Sequence, residues 1–221
     1  MPTIAIIGAG PGLGIAIARA FGREGFSAAL VARNAAKLDA LAAELHAEGI
    51  EAAGFTADIT KPDTLADAFT GIRQRFGAVD VLEFSPVDMS ALGAVGVLDV
   101  TPATLQPQLD FYLTGAIQTV QQVVGAMITA QSGTILVTTG GGSINPVPFL
   151  ANISIAAAGL RNWTLNLHNE LKPHGVYAAH IAISARIGAG NPAAAPDVIA
   201  QKYVELHQTR TEPELHYIAL D

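Results

Sequence analysis

The 221-residue chain has no cysteine, which excludes disulfides, thiolate nucleophiles and thiolate metal sites. It is poor in charge, with 14% Asp, Glu, Lys and Arg, and poor in aromatics, at 6%. It also lacks a basic surplus. The net charge of −7 argues against a nucleic-acid or anionic-membrane partner. No apolar run approaches the roughly 20 residues needed to span a bilayer. The first such run, Ile4-Ala5-Ile6-Ile7, stops at Gly8, so neither a signal peptide nor a membrane segment is expected, and the location expected is cytoplasmic. The histidines, at 46, 168, 174, 180, 207 and 216, have no partner at metal-ligand spacing. No metal is expected on that ground, and no Ser–His–acid site is indicated.

What is present is apolar residue in quantity, half of the chain, arranged as alternating short runs and amphipathic stretches. Ile4–Ile7, Ala28–Ala32, Ala52–Thr56, Val79–Phe84, Thr134–Thr138 and Val176–Ile183 read as strands. Gly12–Glu24, Ala35–Ala47, Pro62–Phe76, Pro102–Ala130 and Leu150–Lys172 read as helices. A last helix over Asp197–His207 and a strand near His216–Leu220 follow a Gly/Pro/Ala-rich loop, Gly188 to Pro196. Strand–helix alternation with near-continuous apolar strands predicts a Rossmann-type α/β fold, a doubly wound parallel sheet in three layers. The linkers are short, so residues 1–221 read as a single domain.

Residues 8–14 read Gly-Ala-Gly-Pro-Gly-Leu-Gly, directly after a strand and opening a helix. Glycines let backbone approach an anion, and the unpaired N–H groups and dipole of a helix start stabilise it. The backbone of Gly8, Gly10, Gly12, Leu13 and Gly14 is therefore expected to hold the phosphates of a dinucleotide. The spacing G-x-G-x-x-G fails, because Leu13 takes its last place. The spacing G-x-x-x-G-x-G fits Gly8, Gly12 and Gly14.

That form resembles the short-chain dehydrogenases/reductases. The resemblance extends to Asp58 after the third strand, the long central helices, and Glu170-Leu171-Lys172-Pro173-His174-Gly175 before the sixth strand. It implies an oxidoreductase with a nicotinamide cofactor and a small-molecule substrate. The position that carries an acid in NAD-preferring members is Ala32, and Arg33 follows it. A 2′-phosphate needs a cation where a ribose hydroxyl needs an acid. NADP(H) is therefore favoured over NAD(H), with Arg33 and Asn34 on the phosphate. The resemblance places Asp58 and Ile59 along the adenine, and Ser85 and Pro86 beside the cofactor. The long helices 102–130 and 150–172 imply a homodimer or homotetramer.

The resemblance breaks at the catalytic groups. The family's serine position is Gly140, its Tyr-x-x-x-Lys pair falls on Ile153 and Ala157, and its helical asparagine is Tyr112. A shifted alignment does not restore them, because no lysine lies between Lys61 and Lys172, and Tyr112 is the only tyrosine in that span. A phenol needs a neighbouring cation to work near neutral pH. Tyr112 is the candidate substitute donor or an anchor for the nicotinamide ribose. Thr139, Gly140, Ser143, Ile153 and Arg186 are expected around the substrate pocket, with Asp88, Asn145, Asn152 and Ser154 nearby. Three functions remain open on sequence: a divergent oxidoreductase on a carbonyl or enone, a non-catalytic dinucleotide sensor, and a non-redox enzyme on the same fold.

Overall fold

The computed structural model describes residues 1–87 and 93–220. Seven strands form one sheet: β1 Thr3–Ile7, β2 Ser27–Ala32, β3 Ala52–Thr56, β4 Val81–Phe84, β5 Gly133–Gly140, β6 Val176–Ala185 and β7 Glu214–Ala219. All neighbours are parallel, in the order β3-β2-β1-β4-β5-β6-β7. The order reverses between β1 and β4. At such a switch the connections leave in opposite directions and open a crevice at the carboxyl edge.

Helices α1 Leu13–Arg23, α2 Ala35–Ala47 and α8 Pro196–Thr209 cover one face, where Ile17, Phe21, Leu38 and Tyr203 form a core with Ile6 and Leu136. Helices α3 Pro62–Phe76, α4 Pro102–Gln108, α5 Gly115–Gln121, α6 Val124–Ala130 and α7 Ala151–Leu171 cover the other, where Phe69, Val120, Met127 and Leu160 pack on Ile7 and Val137. The strands are apolar on both faces because both faces are covered.

The continuous helix expected over Pro102–Ala130 is interrupted twice. Pro107 lies inside α4, and a π-helical turn, Leu109–Thr114, follows it. Proline removes one helical donor and crowds the preceding turn, which a wider turn relieves. The second break is at Gln122 and Val123, whose N–H groups bond Thr119 and Val120 in tighter turns. Val123 and Val124, stiff β-branched residues before Gly125, make this stretch a poor helix. The last helix runs longer than expected, and the last strand begins at Glu214 rather than near His216. The Gly188–Pro196 segment contains a short 3-10 turn, Pro192–Ala194, held by bonds from Gly188 N–H to Ala194 O and from the Tyr217 hydroxyl to Ala193 O. Among the described residues, no helix is long and apolar enough to cross a membrane.

Candidate functional site

The glycines of the first loop have two kinds of surroundings. Gly8 has φ +93°, and a Cβ there would lie 2.5 Å from Pro86 Cα. A Cβ on Gly14 would lie 3.1 Å from Ala9 Cα. These two let the ends of β1 and β4 and the start of α1 close upon one another. Gly10 and Gly12 differ. Among the described residues, a Cβ on Gly12 would meet no atom within 4 Å, and one on Gly10 only Gly8 O at 3.9 Å. Packing within the protein does not demand glycine at these two positions. Their open side is where an anion can approach backbone N–H. Helix α1 begins there without a side-chain cap on its first turn, so its dipole and orphan N–H groups are left for a ligand.

This loop floors a cleft in two connected parts. One part, about 470 Å³, is lined by Gly12, Leu13 and Gly14, by Ser85 and Pro86 after β4, by Tyr112, and by Thr138, Thr139 and Gly140 of β5. The other, about 360 Å³, is lined by Arg33, Asn34 and Lys37 beside Ala57 and Ile59. Gly8, Gly10, Pro11, Pro86 and Val87 line both. The dimensions and chemistry suit an elongated dinucleotide: backbone donors in the middle, cations at one end, and a hydroxyl-bearing apolar chamber at the other.

Most residues marked by the sequence therefore meet at this cleft. Asp58, Ser143, Ile153 and Arg186 do not line it. The Asp58 Oδ1 atom accepts from the Thr60 N–H and hydroxyl. Burial would raise its carboxyl, but the bonds from Thr60 and the charges of Lys61 and Arg33 hold it below the ordinary value. The capping position of α3 is Lys61, with no side-chain bond. Ser143 is buried, with its hydroxyl 2.8 Å from that of Thr139. Ile153 packs against the core from α7, and Arg186 is exposed. Asn152 is buried and braces backbone at Gly93, Val95 and Thr104. Asp88 lies outside the described residues. Gly141 and Gly142 are closely packed: a Cβ would meet the hydroxyl of Ser184 or Ser154. Among the described residues, nothing lies within 4 Å of where a Cβ on Gly140 would stand. His168 is a core residue of this chain, with Nδ1 2.7 Å from Ala178 O.

Three features escape the motif reading. Lys37 joins Arg33 at the cleft because α2 brings it round one turn. Glu83 and His180 are wholly buried in central strands. Each is a single polar residue in an apolar run, Val81-Leu82-Glu83-Phe84 and Ala179-His180-Ile181-Ala182, and that pattern was the available signal. Glu83 accepts from the hydroxyls of Ser85 at 2.9 Å and Thr138 at 3.0 Å. His180 joins a second network: Nε2 is 2.8 Å from Thr139 Oγ1, and Nδ1 is 2.9 Å from Glu214 Oε1. Arg161 grips Glu214 with two bonds, at 2.6 and 2.7 Å. A hydroxyl–histidine–carboxylate chain thus exists here, which corrects the expectation from sequence spacing.

Residues 2–185 match the short chain dehydrogenase family. The very-long-chain 3-oxoacyl-CoA reductase of Podospora anserina is 30% identical over 174 residues, covering 77% of this chain and 51% of the relative. The chain spans about half the length of such curated relatives. The 2-(S)-hydroxypropyl-CoM dehydrogenase 3 of Xanthobacter autotrophicus is 29% identical, covering 78% of this chain and 67% of that protein. A metagenomic short-chain oxidoreductase solved in complex with NADP superposes with a TM-score of 0.83 at 26% identity, covering 100% of this chain and 98% of its own. With the parallel sheet, the switch-point cleft and the glycine spacing in place, the chain belongs to the short-chain dehydrogenase family.

Proposed function

We propose that this protein is an NADP(H)-dependent oxidoreductase that reduces a small carbonyl or enone-type substrate, without the Tyr–Lys pair of its family. The observation that carries this reading is the cleft itself. It joins an uncapped helix start at Gly10–Gly12 to a cationic end at Arg33 and Lys37. An acid at Ala32 would select a free ribose hydroxyl; alanine followed by arginine suits a 2′-phosphate. The relatives named above are reductases or dehydrogenases, and one was solved with NADP.

In this reading, the backbone of Gly10, Gly12, Leu13 and Gly14 holds the pyrophosphate. Arg33 and Lys37 hold the 2′-phosphate, and Ile59 lies beside the adenine. When bound, the nicotinamide supplies the hydride. Ser85, Tyr112 and Thr139 wall the chamber in which the substrate meets it, and Gly140 leaves room that a serine would fill. Holding the two reactants in one apolar chamber supplies much of the rate enhancement. Self-association through α4–α5 and α7 belongs to the same proposal. Ile155 on α7 is 45% exposed and Phe149, just before it, 70% exposed.

The test is a fluorescence titration with NADPH and NADH, followed by NADPH oxidation with a panel of ketones, aldehydes and enones. NADPH binding tighter than NADH binding, with turnover of at least one panel member, is the expected result. Binding without any turnover would point instead to a dinucleotide-responsive protein. No binding of either nucleotide would defeat the proposal.

A further inference from the structure

Directly behind the wall of the larger chamber lies a carboxyl group. Glu83 sits on β4 between Ile6 of β1 and Leu136 of β5, and is 0% exposed. Its two oxygens meet two hydroxyls, Ser85 Oγ at Oε2 and Thr138 Oγ1 at Oε1. Both Ser85 and Thr138 also line the chamber. The carboxyl is thus one hydroxyl away from the space where a substrate would lie. Burial pushes it up to about 8, opposed only by the bonds from Ser85 and Thr138. Near neutral pH it carries a proton, as a buried general acid must.

The groups that face it come from several elements. From α8 the titratable neighbour is the Tyr203 phenol, 2.7 Å from Thr138 Oγ1 and itself raised by burial and by the charge of Glu83. From β1 and β5 the neighbours are Ile6 and Leu136. The charges on α1 and α8 are engaged elsewhere or exposed. Arg19 pairs with Glu44 and Glu48, Lys202 pairs with Glu205, and His207 bonds Thr134; Arg23, Asp197 and Glu205 are exposed. Among the described residues, no cation offsets the burial of this carboxyl. An isolated acid inside a sheet is costly unless it stays neutral or does something.

The two hydroxyls are not equivalent. Thr138 Oγ1 stands between Glu83 and the Tyr203 phenol, with a partner on each side. Ser85 Oγ has Glu83 on one side and the chamber on the other. When Glu83 is ionised, Ser85 donates to it. When Glu83 is protonated, Oε2–H donates to Ser85 Oγ, and the serine hydrogen turns toward the chamber.

We infer that Glu83 is the proton source for the reduction, passing its proton to the substrate oxygen through the Ser85 hydroxyl. The inference rests on the oxidoreductase reading above. Bound cofactor would supply the hydride for the new C–H bond, and the carbonyl π pair would then move to oxygen. Ser85 Oγ–H transfers its proton to that oxygen and takes the Glu83 proton in exchange. Alcohol and NADP⁺ are produced, and Glu83 remains as a carboxylate held by Ser85 and Thr138. Solvent reprotonates it once product has left. Ser85 is the group that touches substrate; Glu83 acts through it.

The experiment compares wild type, Glu83→Gln and Ser85→Ala. The readouts are NADPH titration, the pH profile of kcat on a turned-over carbonyl, and infrared absorption of protonated carboxyls. In the wild type, kcat is expected to fall as pH rises through about 8, and a buried-carboxyl band to vanish over the same range. Glu83→Gln is expected to bind NADPH unchanged, to lose about 100-fold or more in kcat, and to lose both the alkaline limb and the band. Ser85→Ala is expected to lose rate similarly while keeping the band, which supports the relay even if Glu83→Gln fails to fold. A Glu83→Gln enzyme that retains its rate and alkaline limb overturns the relay alone, as does Ser85→Ala at wild-type rate. Wild-type protein that binds no NADPH, or turns over no carbonyl, overturns the oxidoreductase reading and the relay with it.

Discussion

The Nε2 atom of His180 lies 2.8 Å from the Thr139 hydroxyl, and both residues are buried, at 0% and 5% exposure. Sheet register makes the rest of the chain of contacts. His180 pairs with Glu214 across β6 and β7, and its Nδ1 reaches that carboxylate. The Arg161 bonds, against an opposing effect of burial, hold Glu214 below its ordinary value, so it is an acceptor at neutral pH. Nδ1 must then carry the hydrogen, and Nε2 is left to accept from Thr139.

This relationship predicts acid sensitivity. Burial keeps His180 below its usual value of 6.5, outweighing the attraction of Glu214, and burial lowers His207 in the same direction. The unfolded chain therefore binds more protons than the folded one below about pH 6.5. Stability contributed by keeping these rings neutral is present above that pH and declines as pH falls toward their folded-state values. Glu214 adds a second loss at lower pH, when its carboxylate is finally protonated in the folded state. The melting temperature is expected to drop as pH falls below about 6.5. His180→Gln should flatten that drop while costing about 2 kcal/mol at pH 7 through the disturbed network. Thermal melts across the pH range check both; an unchanged acid slope in His180→Gln would count against the assignment.

Glu83 predicts the opposite limb. Its carboxyl is raised from 4.5 to about 8 in the folded protein. Relative stability is greatest where the group is neutral in both states, below about pH 4.5, and declines until the folded group ionises near pH 8. The gap corresponds to roughly 5 kcal/mol. Removing the ionisable group removes this penalty. Glu83→Gln is expected to gain on the wild type by several kcal/mol between pH 5 and pH 9, measured by denaturant unfolding at each pH. The stability gain and the loss of turnover in the same variant would mark a strained functional group. A difference that stays constant with pH would show that Glu83 ionises normally.

The sequence made the sheet, the switch-point cleft and the glycine loop readable because each leaves a local pattern. Near-continuous apolar runs mark buried strands, and the spacing of Gly8, Gly12 and Gly14 marks one loop. The two polar networks left no such pattern. Thr139, His180, Glu214 and Arg161 lie on four elements and meet only through register and packing. The break at Pro107 was visible as a residue, yet its consequence, a π turn that seats Tyr112 at the chamber, depends on α7 and the sheet beneath it. Asn34 illustrates the limit from another side. Its place after β2 implies a phosphate contact, and the structure adds what the spacing does not show: its side chain caps α2 by accepting the Lys37 N–H at 3.0 Å, at the edge of the cleft.

The glycines separate fold from ligand. Gly8→Ala forces a Cβ into Pro86 at a positive φ, so it is expected to destabilise the protein by several kcal/mol. Among the described residues, the Cβ of Gly10→Val meets no obstacle nearer than 3.9 Å, and Gly10 lines both parts of the cleft. It is expected to melt near the wild-type temperature and to lose NADPH binding by at least tenfold. Paired melting curves and fluorescence titrations distinguish the two. If Gly10→Val bound NADPH at wild-type affinity, the loop would not be the phosphate cradle.

The cationic end of the cleft gives the sharpest test of cofactor preference, because three adjacent residues have separable jobs. Arg33 and Lys37 line the cleft with Asn34 between them. A charge-assisted bond to a phosphate contributes about 1.5–3 kcal/mol. Arg33→Ala is therefore expected to weaken NADPH about 10- to 100-fold and leave NADH nearly unchanged. Lys37→Ala should act in the same direction but less strongly, since an exposed ammonium is a point charge without the guanidinium fork. Asn34→Ala should instead cost about 1 kcal/mol of stability as a lost cap, with little change in the NADPH-to-NADH ratio. Ala32→Asp places a carboxylate where the 2′-phosphate would lie, so it should repel NADPH and favour NADH. Equal losses of both nucleotides in Arg33→Ala would mean that the guanidinium serves the shared part of the dinucleotide, and the preference for NADP(H) would have to rest elsewhere.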